Sequence, residues 1–178
     1  MAELIQTFLN HYKSEDLNIR ELRSKTILSK NSDRANAFLD IFEIILKKYQ
    51  DYLNEKEEID FNDMINDTEK IVSKNPNKVE NPFNDISYIL VDEFQDISFA
   101  RYHLIKSLRK VNPNLKFYCV GDDWQSIYMF AGSRISIMQS FEDYFGISKI
   151  EFLEDTFRFP QSLVNITSDF IQKNKKQY

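Results

Sequence analysis

Two apolar runs in this chain each end in a group of polar side chains. Ile89-Leu90-Val91 leads into Asp92-Glu93-Phe94-Gln95-Asp96, and Phe117 to Val120 leads into Gly121-Asp122-Asp123-Trp124-Gln125-Ser126-Ile127-Tyr128-Met129-Phe130. Adjacent carboxylates such as Asp92 and Glu93 suit Mg-assisted phosphoryl chemistry, in which one holds the hydrated metal and the other orients and deprotonates an attacking water. A bare Asp-Glu pair is more often a solvated strand end. The second run shifts that balance, because a second strand then delivers polar groups to the same sheet edge. Gln125 is suited to hydrogen-bond a γ-phosphate or the attacking water. Trp124, Tyr128 and Phe130 offer faces on which bases stack at about 1–3 kcal/mol each. Taken singly, each of these aromatics would also serve as core, above all Trp124 and Tyr128.

These residues act together only if the fold brings them to one edge. Runs that are apolar on both faces and separated by helical segments imply parallel βαβ units, whose ligands bind outside the carboxyl ends of the strands. Ile86 to Val91, Phe117 to Val120 and Lys149 to Leu153 are the expected strands. Phe99 to Leu108, Ile135 to Phe145 and Gln161 to Ile171 are the expected helices around them. Upstream, Leu4, Ile5, Phe8, Leu9 and Tyr12, then Phe38, Leu39, Ile41, Phe42, Ile45, Leu46 and Tyr49, recur at the spacing of helix faces within residues 1 to 58. Asp51 to Glu58 is charged enough for a solvated end or turn, Ile59 opens a helix running to about Val72, and Asn75 to Pro82 is a loop. The fold class is therefore α/β, with a helical N-terminal lobe.

Composition narrows the setting. A hydrophobic share of 42%, with 15 Phe and 9 Tyr, excludes a disordered chain and allows a sizeable core. The single Cys119 lies in an apolar run and cannot form an internal disulfide, which fits a buried thiol in a reducing, cytoplasmic compartment. No apolar stretch reaches the ~18 residues of a membrane span, so no membrane partner is expected. A net charge of −5 gives no general attraction to a polyanion, so any contact with nucleic acid must come from locally placed basic and aromatic side chains.

Taken together, the two polar segments resemble motifs II and III of the UvrD/Rep-like superfamily 1 DNA helicases. The strings DEFQD and GDDWQSIYMFAGS are most similar to the helicase IV branch. Ile59-Asp60-Phe61-Asn62-Asp63-Met64-Ile65 resembles the family's acidic-aromatic segment upstream of motif II, and Leu153-Glu154-Asp155-Thr156-Phe157-Arg158 resembles motif IV. The matches keep their order from about residue 59 to 171. The resemblance implies a partial P-loop NTPase sheet of the RecA-like kind. It also implies roles: Asp92 coordinates Mg2+, Glu93 is the general base, and Gln125 couples the γ-phosphate to the DNA site. Phe157 corresponds to an aromatic that stacks on adenine, Arg158 to an arginine finger, and Phe130, with Tyr128, to aromatics on single-stranded DNA. Many relatives carry an arginine where this chain has Ala131, so the link between nucleotide and DNA sites is expected to be wired differently.

A motor of this class also needs a G-x-x-x-x-G-K-[ST] loop to cradle phosphates. The only glycines are Gly121, Gly132 and Gly146, and none precedes a lysine. The resemblance therefore implies an internal slice of a longer helicase: 1–58 a helical lobe of the 1B-like insertion type, 59–150 the C-terminal part of the first RecA-like motor domain, and 151–178 the start of the second. In the longer protein, ATP and Mg2+ are the implied cofactors, single-stranded DNA and duplex junctions the partners, and ATP hydrolysis drives 3′-to-5′ movement. Alone, the chain lacks the loop's donors, worth about 1.5–3 kcal/mol for each bond to a charged group, and is expected neither to bind nucleotide tightly nor to hydrolyse it. An open sheet edge is expected to favour self-association. A different reading makes the chain a truncated, non-catalytic helicase-like module for interaction or regulation.

Overall fold

The computed structural model describes residues 2–27, 30–74, 83–171 and 173. The N-terminal helices are α1 (Ala2–Ser14), α2 (Ile19–Thr26) and α3 (Ser32–Lys56). The two periodic sets lie on helices as expected, and the helices face each other: Phe8 sits edge-on to Phe38 at 5.0 Å and to Phe42 at 4.6 Å, and Phe42 is fully buried. Asn18 starts α2 by accepting from the Arg20 amide at 2.8 Å, satisfying one of the otherwise unpaired donors of a first turn. Of the two expectations for the charged stretch from Asp51, the solvated end is the one found: it forms the largely exposed last turns of α3 and not a turn. Leu53 on its inner face is buried and keeps α3 seated until Glu57, which closes the helix in a left-handed conformation at φ 55°.

The next helix, α4 (Phe61–Lys74), begins where the acidic-aromatic segment does, because Asp60 Oδ1 accepts from the Asp63 amide at 2.8 Å. The expected loop at 75–82 lies outside the described residues. Beyond it come β1 (Tyr88–Val91), α5 (Phe99–Val111) and β2 (Lys116–Cys119), a strand-helix-strand unit whose strands pair in parallel from Tyr88 opposite Lys116 to Val91 opposite Cys119. Ser98 caps α5, accepting from the Arg101 amide, and Asn112 ends it. The Asn112 amide group donates to the carbonyls of Asn84 at 3.1 Å and Ile86 at 2.8 Å, so one side chain ties the end of the helix to the start of the first strand.

The single helix expected over Ile135 to Phe145 is two short ones, α6 (Ile135–Gln139) and α7 (Phe141–Phe145), broken at Ser140. That break lets Phe141 and Phe145 turn onto the sheet, where Phe94 meets their rings at 5.6 and 5.9 Å and Phe117 at 5.8 Å. Phe94, Ile97, Tyr102, Ile105, Ile137 and Phe145 form the main core. Val72, Leu108 and Leu115 form a second cluster joining α4 to α5. The last helix, α8 (Gln161–Ile171), has the bounds expected from its pattern.

Two further expectations are corrected. Lys149 to Leu153 is irregular and exposed, not a strand; among the described residues no ladder lies beside it, and unpaired N–H and C=O groups have no reason to align without one. The strands, expected to be buried on both faces, are covered on one face only: Ile89 and Phe117 pack on the core, whereas Tyr88, Leu90 and Tyr118 are exposed. Cys119 lies on the covered side, half-buried, and burial pushes its thiol up to about 11. Among the described residues no helix is long and apolar enough to cross a membrane.

Candidate functional site

The two strands do not stop abruptly at their carboxyl ends. The Val120 amide donates to the Val91 carbonyl and the Phe94 amide donates to the Val120 carbonyl, both at 2.9 Å, so the chain ends stay laced together where the polar segments begin. Close approach at this crossing requires glycine: a Cβ on Gly121 would lie 2.8 Å from Gln95 Oε1, 3.0 Å from the Phe94 amide nitrogen and 3.1 Å from that of Gln95. Gly121→Ala is therefore expected to cost about 1–3 kcal/mol by forcing the backbone apart, read as a lower midpoint in urea at unchanged slope. A midpoint equal to that of the unsubstituted chain would show that the crossing is loose.

Directly after β1, Glu93 adopts a left-handed conformation at φ 50°, ψ 46°, uncommon for a residue with a side chain, which turns the chain sharply out of the strand. Asp92 supports that bend by accepting from the Glu93 amide at 2.9 Å. The Glu93 carboxylate is then held from the side: Gln95 Nε2 donates to Glu93 Oε2 at 2.7 Å, and Gln95 Oε1 accepts from the Asp122 amide at 3.0 Å. Asp122 in turn caps the short 3-10 turn Asp123–Gln125, accepting from the Trp124 amide at 3.1 Å and from Gln125 Nε2 at 2.8 Å. Glu93 and Gln125, from different strands, thus stand on one rim, joined through Gln95 and Asp122. Gln95 is 2% exposed, and it is the residue on which the link depends.

A cleft of about 620 Å³ opens beside this rim, with Asp92, Glu93, Asp96, Arg101, Tyr128 and Ser133 among its lining residues. Burial, then the nearby Glu93 charge, hold the Asp96 carboxyl above its usual range, against an opposing pull from Arg101. Asp96 Oδ1 and Ser133 Oγ are buried without a hydrogen-bond partner. Beyond Gln125 the chain presents Tyr128 and Phe130, exposed, with ring centroids 6.0 Å apart on a second 3-10 turn, Met129–Ala131. No cluster of three or more metal-ligating side chains occurs among the described residues. A carboxylate-held Mg2+ does not need one, because phosphate and water complete its shell, and the exposed Asp92 fits that mode.

Asp92, Glu93, Gln125, Tyr128 and Phe130 therefore share one region, whereas Phe157 is 98% exposed and Arg158 exposed, on the irregular segment before α8. The sequence places Gln95 and Asp96 in the same polar network as the acidic pair but does not reveal Gln95 as the bridge. Nor does it reveal the end of α1, where Lys13 is buried against α4 and Ser14 and Glu15 against the loop carrying Gly132 and Arg134.

A parallel strand pair with an acidic pair and a glutamine on its carboxyl rim has the α/β arrangement in which ligands meet the sheet outside the carboxyl ends of its strands. The profile of the UvrD/REP helicase N-terminal domain matches residues 1–146, and the chain belongs to that family. Among its relatives, DNA helicase IV of Escherichia coli K12 is 36% identical over 133 residues, which cover 75% of this chain and 19% of that protein. ATP-dependent DNA helicase PcrA of Staphylococcus epidermidis is 35% identical over 133 residues, covering 75% of this chain and 18% of the relative. PcrA of Staphylococcus aureus is 35% identical over 129 residues, covering 72% and 17%. The chain thus spans about a fifth of the length of these relatives.

Proposed function

We propose that this chain is the part of an ATP-dependent DNA helicase that positions Mg2+ and the attacking water and passes the state of the nucleotide to single-stranded DNA. The observation that carries this reading is the Glu93-Gln95-Asp122-Gln125 relay, which holds a base candidate and a phosphate-sensing candidate at fixed separation across two strands. With Glu93 Oε2 accepting from Gln95, Oε1 is the atom that takes a proton from water. Gln125 exchanges its bond to Asp122 for one to the γ-phosphate or the water, and that exchange shifts the 3-10 turn leading to Tyr128 and Phe130. Asp92 holds Mg2+, which when bound offsets negative charge on the transferring phosphoryl group. Phe157 and Arg158 act on adenine and on phosphate charge once the segment carrying them faces the rim.

The same reading divides the chain at 58/59 and 150/151 into a lobe, the end of one motor domain and the start of another. It assigns 3′-to-5′ movement and duplex junctions to the longer polypeptide, and self-association of the isolated chain to its short sheet. A phosphate loop is not encoded here, so the purified 178-residue chain is expected to show no Mg-dependent ATP turnover above buffer in a phosphate-release assay. Turnover that disappears in Glu93→Gln would overturn the assignment of the phosphates to a separate segment.

A further inference from the structure

The last turn of α1 is more deeply enclosed than a charged helix end normally is. Lys13, Ser14 and Glu15 are all buried, and the Glu15 side chain is 4% exposed. On one side α4 grips the turn: Lys13 Nζ donates to Asp60 at 2.6 Å and to both Asp63 oxygens at 2.7 Å, and Asn66 Nδ2 donates to the Lys13 carbonyl at 3.0 Å. On the other side lies the loop that carries the exposed aromatics. Arg134 Nε donates to both Glu15 oxygens at 2.8 Å, and its Nη2 stands 2.7 Å from Oε2. Arg134 is anchored in turn, its amide donating to the Ile97 carbonyl at 2.7 Å and its guanidinium lying 5.8 Å from the Phe99 ring centroid. Two residues earlier, Gly132 takes φ 95°, and a Cβ there would come within 2.2 Å of Ser14 Oγ.

Resting on the reading that Phe130 stacks on single-stranded DNA, we propose that the Glu15–Arg134 pair is a positioning device that fixes the aromatic loop Tyr128–Phe130 for the strand and makes the N-terminal helices move with it. Among the described residues the loop's own hydrogen bonds are two short-range ones, from the Gly132 amide to the Met129 carbonyl at 3.1 Å and from the Ser133 amide to the Tyr128 carbonyl at 3.2 Å, and Ile127, Met129 and Phe130 are all exposed. A carboxylate enclosed this far becomes an uncompensated charge away from water if its cation leaves, so Arg134 does not drift from Glu15 while α1 stays seated. Loop and helix are thereby one mechanical unit, with α4 clamped to the same turn.

Arg134 is about half exposed, with 47% of its side-chain surface accessible, so direct contact with a DNA phosphate is the competing role. The two roles differ in sign for Glu15→Gln. If Arg134 served phosphate, freeing it from a carboxylate would leave binding unchanged or tighten it; if it positions the loop, binding weakens. Trp124 is the single tryptophan and sits in the same segment, so its fluorescence reports binding of an oligo(dT) strand without a label.

Glu15→Gln and Phe130→Ala are each expected to weaken oligo(dT) binding about tenfold at a temperature where circular dichroism shows the chain folded. In the free protein, Glu15→Gln is expected to speed hydrogen exchange at Ser126–Ser133 and at the end of α1 while leaving α3 unchanged. Should Glu15→Gln fail to fold, Arg134→Lys keeps the charge and loses the fork geometry, and faster exchange at Ser126–Ser133 in the free protein is then the result that decides, because its DNA binding would weaken under either role. Unchanged or tighter binding in Glu15→Gln alongside weakened binding in Phe130→Ala overturns the positioning role alone. Unchanged binding in Phe130→Ala overturns the strand-stacking reading and this inference with it. Unchanged loop exchange overturns the device whatever DNA does.

Discussion

Lys13→Met is expected to lower the stability of the chain by about 3–5 kcal/mol, a fall in melting temperature on the order of 10 °C for a domain of this size. The lysine is 6% exposed and serves two carboxylates at once, with Tyr49 OH donating to the same Asp60 oxygen at 3.0 Å. Methionine keeps the apolar stem and removes the charge, leaving Asp63 and part of Asp60 enclosed without a cation. Burial pushes the Tyr49 hydroxyl up to about 12, with help from its bond to Asp60, and so keeps it a donor at neutral pH. Burial by itself would raise the Asp60 carboxyl, yet the bonds from Lys13, the Asp63 amide and Tyr49 outweigh it and hold that carboxyl below its usual range.

The sign of the pH effect follows from that depression. A carboxyl with a lowered folded pKa contributes stability that is present above its unfolded value, about 3.9, and is lost as pH falls through the folded value. The unsubstituted chain should therefore lose stability in acid below about pH 4 more steeply than Lys13→Met does. Melting curves across that range check both statements, and a substituted chain melting within about 2 °C of the original at neutral pH would show that the cluster is not holding α1 to α4. Adding Asp60→Asn and Asp63→Asn to Lys13→Met should recover part of the loss, because the uncompensated charges then disappear.

The second large effect concerns the proposed motor. In the longer polypeptide that supplies a phosphate loop, Glu93→Gln is expected to reduce ATP turnover about 10²- to 10⁴-fold while nucleotide affinity stays near its original value, because an amide fills the space of the carboxylate and accepts no proton. Steady-state phosphate release and equilibrium binding of a fluorescent nucleotide separate these quantities. Gln95→Ala should fall between the two proteins, since it leaves the base in place and removes its lateral support and the link to Asp122. A turnover reduced less than about tenfold in Glu93→Gln would assign the proton transfer to another group.

Much of the arrangement was legible in local spacing. A helical repeat of aromatics, two apolar runs with a helix between them, and polar groups directly after each run sufficed to expect parallel strands and a shared rim, because period and turn chemistry are properties of neighbouring residues. The resemblance of DEFQD and GDDWQSIYMFAGS to helicase motifs rests on the same contiguous strings, and the family match agrees with it. Lys149 to Leu153 misled because an apolar stretch becomes a strand only where another strand offers a ladder, a condition that no residue within it encodes.

The sequence by itself determined the order of the elements, the acidic pair and glutamine at the strand ends, and the membership of the helicase family. Only the tertiary structure decided that Gln95 joins Glu93 to Asp122, that Gly121 must be small, and that Glu15 meets Arg134 across 119 positions of chain. The physical reason is that a buried hydrogen bond or ion pair is selected by what surrounds it in three dimensions, where water is excluded and every donor must find an acceptor.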